Sequence, residues 1–155
     1  MSLYLTLKTL HILSSTLLFG TGLGSAYYAM RAWRTGDVAV IRATFRHLVF
    51  ADWAFTATTA VFQPLSGLGL AHLAGWPLAS PWLLWSLGLY VFAGVCWLPV
   101  VWLQIRVHRL AEQAVAQGTG MPLVARRYMA WWFGLGWPAF LAFIAIFYLM
   151  VGKGA

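Results

Sequence analysis

Residues 81–105 read PWLLWSLGLYVFAGVCWLPVVWLQI, an apolar run without a formally charged side chain. A helix needs about 20 mostly apolar residues to cross the hydrocarbon core of a bilayer, so this run predicts a membrane-spanning helix. Three further apolar stretches of similar length predict the other spans, which gives residues 3–30, 38–65, 81–105 and 127–151. We therefore expect an all-α fold, a polytopic membrane four-helix bundle that forms a single domain over residues 1–155.

The composition excludes a soluble domain. Hydrophobic residues make up 62% of the chain and charged residues 8%, whereas soluble domains carry about a quarter charged residues. The net charge of +7 does not indicate nucleic acid as a partner, because the arginines lie in two short segments between apolar runs. The expected partner is the lipid bilayer, and Cys96 is a lone cysteine that has no partner for an intramolecular disulfide.

The basic residues predict the orientation of the spans. One group of arginines flanks the first connection and another flanks the third: Arg31, Arg34, Arg42 and Arg46, then Arg106, Arg109, Arg126 and Arg127. The middle connection, residues 64–80, has no formal charge, and the C-terminal tail has only Lys153. The positive-inside rule then places both termini on the outer, periplasmic side of a bacterial inner membrane that the chain crosses several times. A cleavable signal peptide ending near Ser25 is not expected, because the arginines that follow would resist export.

The first predicted span contains two ionisable side chains, Lys8 and His11. At about 100° per residue they lie on one helical arc with Tyr4, Ser15 and Gly22. A charged group at membrane depth costs at least ~2.5 kcal/mol, so we expect this arc to face the interior of the bundle.

The second and third predicted spans each contain a similar polar arc. The second has Asp52, Thr56, Thr59 and Gln63, and the third has Ser86, Tyr90, Trp97 and Gln104. Interhelical hydrogen bonding explains the threonines, whereas Asp52 requires a partner, either Arg46 or a side chain of another helix. Structural pairing and functional use of Asp52 remain equal alternatives at this point.

The expected depths bring one group of polar residues together in the outer half of the membrane. These residues are Lys8, His11, Ser15, Thr59, Gln63, Ser86 and Tyr90, and they define the candidate binding pocket. His72, in the outer connection, is expected to reach that pocket from above. Facing histidines in helical bundles hold haem, so the pairs His11 with His72 and His47 with His108 are candidate axial ligands, although interfacial histidines need no such role.

Other motifs carry structural expectations only. Gly20 and Gly24, four residues apart, predict a close helix-packing face, and Pro99 and Pro138 predict weak points in their helices. The chain has no GxSxG elbow and no zinc-like cluster of His and Cys, so neither nucleophilic hydrolysis nor a structural metal site is expected.

Four segments of the chain resemble the DUF2269 family of small predicted bacterial integral membrane proteins. They are residues 7–13 (LKTLHIL), 19–22 (FGTG), 52–56 (DWAFT) and 136–140 (GWPAF). The resemblance runs the length of the chain and implies four spans, but it implies almost nothing about activity.

A more distant likeness concerns the Lys8-x-x-His11-Ile12 opening, which is similar to the membrane-type protoporphyrinogen oxidase and, loosely, to copper-resistance membrane proteins. This likeness implies that His11 is a haem iron ligand and that haem b is a candidate cofactor. The oxidase also needs a lysine in its third span, where this chain has Trp85-Ser86. The likeness therefore implies porphyrin or haem contact rather than the oxidase activity.

Three classes of function are left by the sequence. The first is a haem-binding or redox protein in which His11 is a ligand and Lys8 lies near a propionate or a quinone headgroup. The second is a non-catalytic accessory subunit, acting as a homo-oligomer or within a larger membrane complex. The third is a small transporter component in which Lys8 and Asp52 take part in ion or proton passage.

Overall fold

The computed structural model describes residues 2–152, which form helices and no strand. The helices are α1 (Leu3–Thr35), α2 (Val38–Ala51), α3 (Ala57–Leu73), α4 (Pro81–Gln117) and α5 (Leu123–Gly152). A π-helical segment, Asp52–Thr56, joins α2 to α3 without a break, so α2 and α3 form one continuous second helix. The all-α prediction is confirmed, with four long helices in the described range. Lys153, which the orientation argument used, lies outside the described residues.

The turn between α1 and α2 is fixed by two residues. Gly36 adopts a φ of 67°, a left-handed conformation that favours glycine, and its N–H bonds the Trp33 carbonyl. Asp37 then caps α2, because its carboxylate accepts hydrogen bonds from the backbone N–H groups of Ala39 and Val40. The two helices are therefore held antiparallel by a very short connection.

The helices are longer than the predicted spans, and the largest correction concerns the middle connection. Residues 64–80 were expected to be irregular, but α3 continues through Pro64 as far as Leu73. The irregular connection is only residues 74–80. Packing explains the difference, because α3 lies against α1 and tertiary contacts outweigh the poor helix propensity of proline and glycine. Helices α4 and α5 likewise continue through Pro99 and Pro138.

The helices pair in a simple order. Helix α1 packs against α2 and α3, α4 packs extensively against α5, and α2 packs against α4. One cluster of buried hydrophobic residues lies at the arginine-rich end, where α1, α2, α4 and α5 meet. It contains Ala29, Ile41, Phe45, Leu48, Leu103, Val107, Ala111, Met129 and Trp132.

The close-packing glycines are not the predicted ones. A Cβ added at Gly20 or Gly24 would have no neighbour within 4 Å. A Cβ at Gly67 would lie 3.3 Å from Cε1 of His11, and one at Gly69 would lie 3.2 Å from Cδ2 of Leu7. The tight helix–helix approach is therefore between α1 and α3, and the prediction for Gly20 and Gly24 is wrong within this chain.

The surface of the molecule is apolar. Large side chains such as Phe50, Trp85 and Val151 are 68%, 68% and 88% exposed, which is unusual unless another apolar medium covers them. Helices α4 and α5 are each long and apolar enough to cross a membrane. They coincide with the third and fourth predicted spans.

Candidate functional site

The buried carboxylate of Asp52 lies at the start of the π-helical segment and is surrounded by neutral donors. The Thr56 hydroxyl donates to Oδ1 at 3.0 Å, and the Gln104 amide of α4 donates to Oδ2 at 2.8 Å. The side chain of Trp97, also on α4, lies beside the carboxylate and is a further neutral donor that acts on it. We call these four residues the Asp52 site. The partner of the Asp52 carboxylate on another helix is therefore Gln104. Arg46, which the sequence offered as an alternative partner, is exposed and forms no ion pair with Asp52.

A second polar cluster joins α1 to α3, and we call it the His11 site. Nδ1 of His11 lies 2.7 Å from the Ser66 hydroxyl oxygen, and the Gln63 amide donates to the His11 carbonyl at 2.9 Å. The Ser66 hydroxyl donates its single proton to the Phe62 carbonyl, also at 2.7 Å. We therefore assign the imidazole proton to Nδ1, which donates to Ser66, and the lone pair to Nε2.

Tyr90 has a structural role that the sequence did not predict. Its hydroxyl donates to the Ala60 carbonyl at 2.7 Å. In an α-helix this carbonyl would accept from the N–H of residue 64, but Pro64 has no N–H. Tyr90 therefore satisfies a carbonyl that the proline leaves without its helical partner, and it ties α4 to α3 at that point.

Three other predicted pocket residues bond to their own helices. The hydroxyl of Ser15 donates to the Ile12 carbonyl at 2.8 Å, that of Thr59 to the Phe55 carbonyl at 2.6 Å, and that of Ser86 to the Trp82 carbonyl at 2.7 Å. Thr59 and Ser86 are buried, whereas Ser15 is half-buried. None of these hydroxyls donates to another predicted pocket residue.

Lys8 does not face the interior, so this part of the sequence prediction is wrong. Its side chain is exposed, and its ammonium lies 5.7 Å from the centre of the Tyr4 ring, one turn back along α1. Lys8 and His11 differ by about 60° around the helix. His11 turns towards α3, and this difference is enough to place the long Lys8 side chain on the outer surface of the bundle.

The buried polar residues of the second helix form a longer series than the sequence predicted. They are Asp52, Thr56, Thr59, Gln63 and Ser66, at spacings of four, three, four and three residues. Ser66 was missed because it was assigned to the irregular connection, although the continued spacing beyond Pro64 was a usable signal. The series covers about 21 Å at 1.5 Å per residue.

The partner of this series changes from one helix to another along its length. Asp52 contacts α4 through Gln104, whereas Gln63 and Ser66 contact α1 through His11. A π-helical turn contains one residue more than an α-helical turn. The residues after it are therefore rotated by roughly 100° from the positions that an uninterrupted α-helix would give them. The single arc expected from the sequence is therefore divided between two interfaces.

The histidines do not form the predicted axial pairs. His72 is exposed and lies in the last turn of α3. It follows Ser66 by six residues, so it lies about 120° around the helix from the face that meets His11. His47 is exposed, and His108 lies near Glu112, with 3.8 Å between Nε2 and Oε1. Residues 2–152 contain no group of three or more His, Cys, Asp or Glu side chains suited to a metal ion.

The surroundings of His11 do not fit a haem. The ring is packed against the backbone of α3 at Gly67, and no second histidine shares its face. A porphyrin bound at the imidazole would need to part α1 from α3. We derive no chemistry through haem from this geometry.

Comparisons with known proteins give one match. No curated protein and no solved structure matches the chain, so the likeness to the membrane-type oxidase and to copper-resistance proteins gains no support. A family model described as a predicted integral membrane protein matches residues 5–154, nearly the full length of the chain. The apolar surface and the two candidate spanning helices agree with that description. The chain belongs to the DUF2269 family of predicted integral membrane proteins.

Proposed function

We propose that this protein is a single-domain, four-span protein of the bacterial inner membrane whose Asp52 binds a proton or a monovalent cation. In this proposal the four helices form a transmembrane bundle and both termini are periplasmic. The protein then acts as a small transporter or as the ion-coupled component of one. The observation that carries the proposal is a buried carboxylate with hydrogen-bond donors but no counter-charge.

The charge environment of Asp52 supports this assignment. No lysine or arginine of residues 2–152 forms an ion pair with its carboxylate. Thr56, Gln104 and Trp97 stabilise the charged form by hydrogen bonding but carry no positive charge themselves. A carboxylate at membrane depth requires neutralisation, and a bound proton or cation supplies it. Interhelical adhesion alone would be served at lower cost by an asparagine.

We propose the buried polar series from Asp52 to Ser66 as the path of the ion. The hydroxyl protons of Thr59 and Ser66 are donated to carbonyls of their own helix. Their oxygen lone pairs remain as acceptors on the buried face, where they suit water or a cation. His11, on α1, contacts Ser66 at the far end of the series.

Ion flux through reconstituted vesicles tests the proposal. Proteoliposomes loaded with a pH-sensitive dye are given a potassium diffusion potential, and proton entry is compared for the wild type, Asp52→Asn and Asp37→Asn. We expect at least a tenfold loss of flux in Asp52→Asn and less than a twofold change in Asp37→Asn. The control removes an exposed carboxylate and keeps the cap of α2, because asparagine caps as well as aspartate.

A second series with sodium gradients and a sodium-sensitive dye distinguishes a cation from a proton. Flux that is absent in the wild type for both ions contradicts the proposal. Equal flux in the wild type and Asp52→Asn contradicts the role of the carboxylate. Co-purification with a larger complex, without any such flux, would favour the accessory-subunit function.

The proposed topology is tested by labelling single cysteines in intact cells. In a Cys96→Ala background, a cysteine at Ala79 should react with a membrane-impermeant maleimide, and one at Thr119 should react only after lysis. The opposite pattern would reverse the orientation, and labelling of both from outside would contradict four spans.

Haem b at His11 is the competing proposal that the sequence likeness implies, and the same purified sample tests it. The close contact of the His11 ring with α3 at Gly67 argues against it. A Soret band after expression with haem supply, lost in His11→Ala, would favour haem over ion binding. We expect no such band.

A further inference from the structure

The seam between the second helix and α4 contains a cleft at the arginine-rich end. The cleft has a volume of about 190 Å³ and is lined by Arg42, Ala43, Arg46, His108 and Glu112. Arg42 and Arg46 are four residues apart on α2, and His108 and Glu112 are four residues apart on α4, so each pair shares one face of its helix. We call this feature the arginine cleft.

The side-chain nitrogen atoms of the arginine cleft have no hydrogen-bond partner among the described residues. Neither Arg42 nor Arg46 forms an ion pair with another residue of the described chain. Nε2 of His108 is buried and has no hydrogen-bond partner among residues 2–152, since Glu112 lies 3.8 Å away and is 54% exposed. Buried polar atoms in proteins are almost always hydrogen-bonded, so this nitrogen indicates a ligand. Two guanidinium groups against one carboxylate favour an anion.

A phosphate group suits this set of donors. Guanidinium groups bind phosphate oxygens through two parallel hydrogen bonds, and they do so better than lysine does. The cleft volume corresponds to about six water molecules at the density of the liquid. That space accommodates a phosphodiester with its immediate substituents.

An apolar groove follows the cleft along the same seam. It has a volume of about 420 Å³ and is lined by Trp53, Ala57, Ala60, Val61, Trp97, Leu98, Val101, Trp102 and Ile105. On α4 the two features share one face, because residues 112, 108, 105, 101 and 98 recur at spacings of four and three. Ile105 lies about 4.5 Å along the helix axis from His108. A polar cleft that leads into an apolar groove is complementary to a molecule with an anionic head and a hydrocarbon tail.

We propose that this seam is a binding site for one anionic phospholipid, with its phosphate in the arginine cleft and an acyl chain in the apolar groove. The lipid comes from the leaflet that faces the arginine-rich end, which is the cytoplasmic leaflet in the proposed topology. Basic pockets between helices on that side of a membrane are suited to anionic headgroups. The lipid proposal does not depend on ion binding at Asp52, and the apolar groove shares Trp97 with the Asp52 site.

Lipid titration of the purified, delipidated full chain tests the proposal. Native mass spectrometry measures binding of phosphatidylglycerol and phosphatidylcholine to the wild type and to two double variants. Arg42→Gln with Arg46→Gln should weaken phosphatidylglycerol binding at least tenfold. The matched control, Arg31→Gln with Arg34→Gln, removes the same charge from α1 at the same end and should change it less than twofold.

Two further arms identify which part of the lipid is recognised. His108→Leu removes the buried donor and should weaken phosphatidylglycerol binding by three- to tenfold. Ala57→Phe fills the groove and should weaken binding of the long-chain lipid while leaving that of a short-chain phosphatidylglycerol unchanged. Circular dichroism confirms that each variant keeps its helix content before binding is compared.

Several outcomes would overturn the proposal. Equal weakening by the two arginine double variants would mean that general charge, and not the cleft, attracts the lipid. Equal affinity for phosphatidylcholine and phosphatidylglycerol would show that the site does not select anionic lipids. Displacement of the lipid by inorganic phosphate at similar concentration would identify the ligand as a free anion.

Discussion

The bond between Tyr90 and the Ala60 carbonyl gives a prediction that depends on Pro64. Replacing Tyr90 with phenylalanine removes the hydroxyl that lies 2.7 Å from that carbonyl. The ring remains, including its edge-to-face contact with Phe143 at 6.1 Å between centroids. The variant therefore removes one hydrogen bond and almost no apolar packing.

The expected cost follows from what remains at the carbonyl. A buried acceptor left without a donor costs about 1–3 kcal/mol, and measured interhelical bonds in membrane proteins average about 0.6 kcal/mol with a maximum of about 1.7. We expect Tyr90→Phe to lower the free energy of unfolding by about 1–2 kcal/mol. In a Pro64→Ala background the restored N–H of residue 64 bonds the carbonyl instead, so the same substitution should cost less than about 0.5 kcal/mol.

Reversible unfolding in mixed micelles with increasing sodium dodecyl sulfate measures these free energies, followed by circular dichroism. Tyr148→Phe is the matched control, because Tyr148 is 78% exposed, and it should change stability by less than about 0.5 kcal/mol. Equal costs of Tyr90→Phe in both backgrounds would refute the argument that the proline creates the need for the tyrosine hydroxyl.

Three further predictions use the same assay. Gly67→Val should destabilise the protein by about 1–3 kcal/mol, because its Cβ would lie 3.3 Å from Cε1 of His11 on α1. Gly88→Val, where an added Cβ meets nothing within 4 Å, should cost less than about 1 kcal/mol. Similar losses at both positions would contradict the close approach of the two helices. Asp37→Ala should cost about 1 kcal/mol and Asp37→Asn only a few tenths, because both native cap bonds go to the side-chain oxygen; equal losses would argue against the cap. Gln104→Leu should cost about 1–2 kcal/mol by leaving Asp52 with one donor fewer, and the double variant with Asp52→Leu should regain much of that stability; purely additive losses would show that the two side chains are not coupled.

The helical architecture was predictable because it depends on long apolar runs. Residues 81–105 and 127–151 lie within α4 and α5, and the two-residue turn at Gly36 and Asp37 follows ordinary capping rules. The extension of α3 beyond Pro64 had one local signal, the continued polar spacing to Ser66, but the proline and the glycines that follow it indicate the opposite. The extension depends on packing between Gly67 and His11 of α1, which is 56 residues away along the chain.

The polar clusters were predicted only in part. His11 and Gln63 do meet, as the arcs indicated, and Gln104 does reach Asp52. Lys8 was misplaced because a wheel gives the direction of Cα–Cβ but not the path of a flexible side chain. Tyr90 was placed in a binding pocket because the sequence does not show that its hydroxyl reaches the Ala60 carbonyl, although Pro64 marks that carbonyl as lacking a helical donor.

The arginine cleft was missed for a related reason. Its arginines were interpreted as orientation signals. That interpretation depends on the number of basic residues in each connection and not on where their side chains lie. The positions of His108 and Glu112 opposite Arg42 and Arg46 depend on the register of α2 against α4, which a single sequence does not encode in a readable form.

The π-helical segment has a consequence for mutational scanning of the second helix. The segment Asp52–Thr56 holds one residue more than an α-helix of the same height. If lysine is introduced at each position from 38 to 73, the sensitive sites should recur every 3.6 residues up to Ala51. Beyond Thr56 the sensitive sites should keep the same numbering pattern, at Thr59, Gln63 and Ser66, because the rotated face meets α1 instead of α4. A deletion of one residue within the segment would keep both halves in their present orientation, and the sensitive sites beyond it would then fall one position earlier than a spacing of 3.6 predicts.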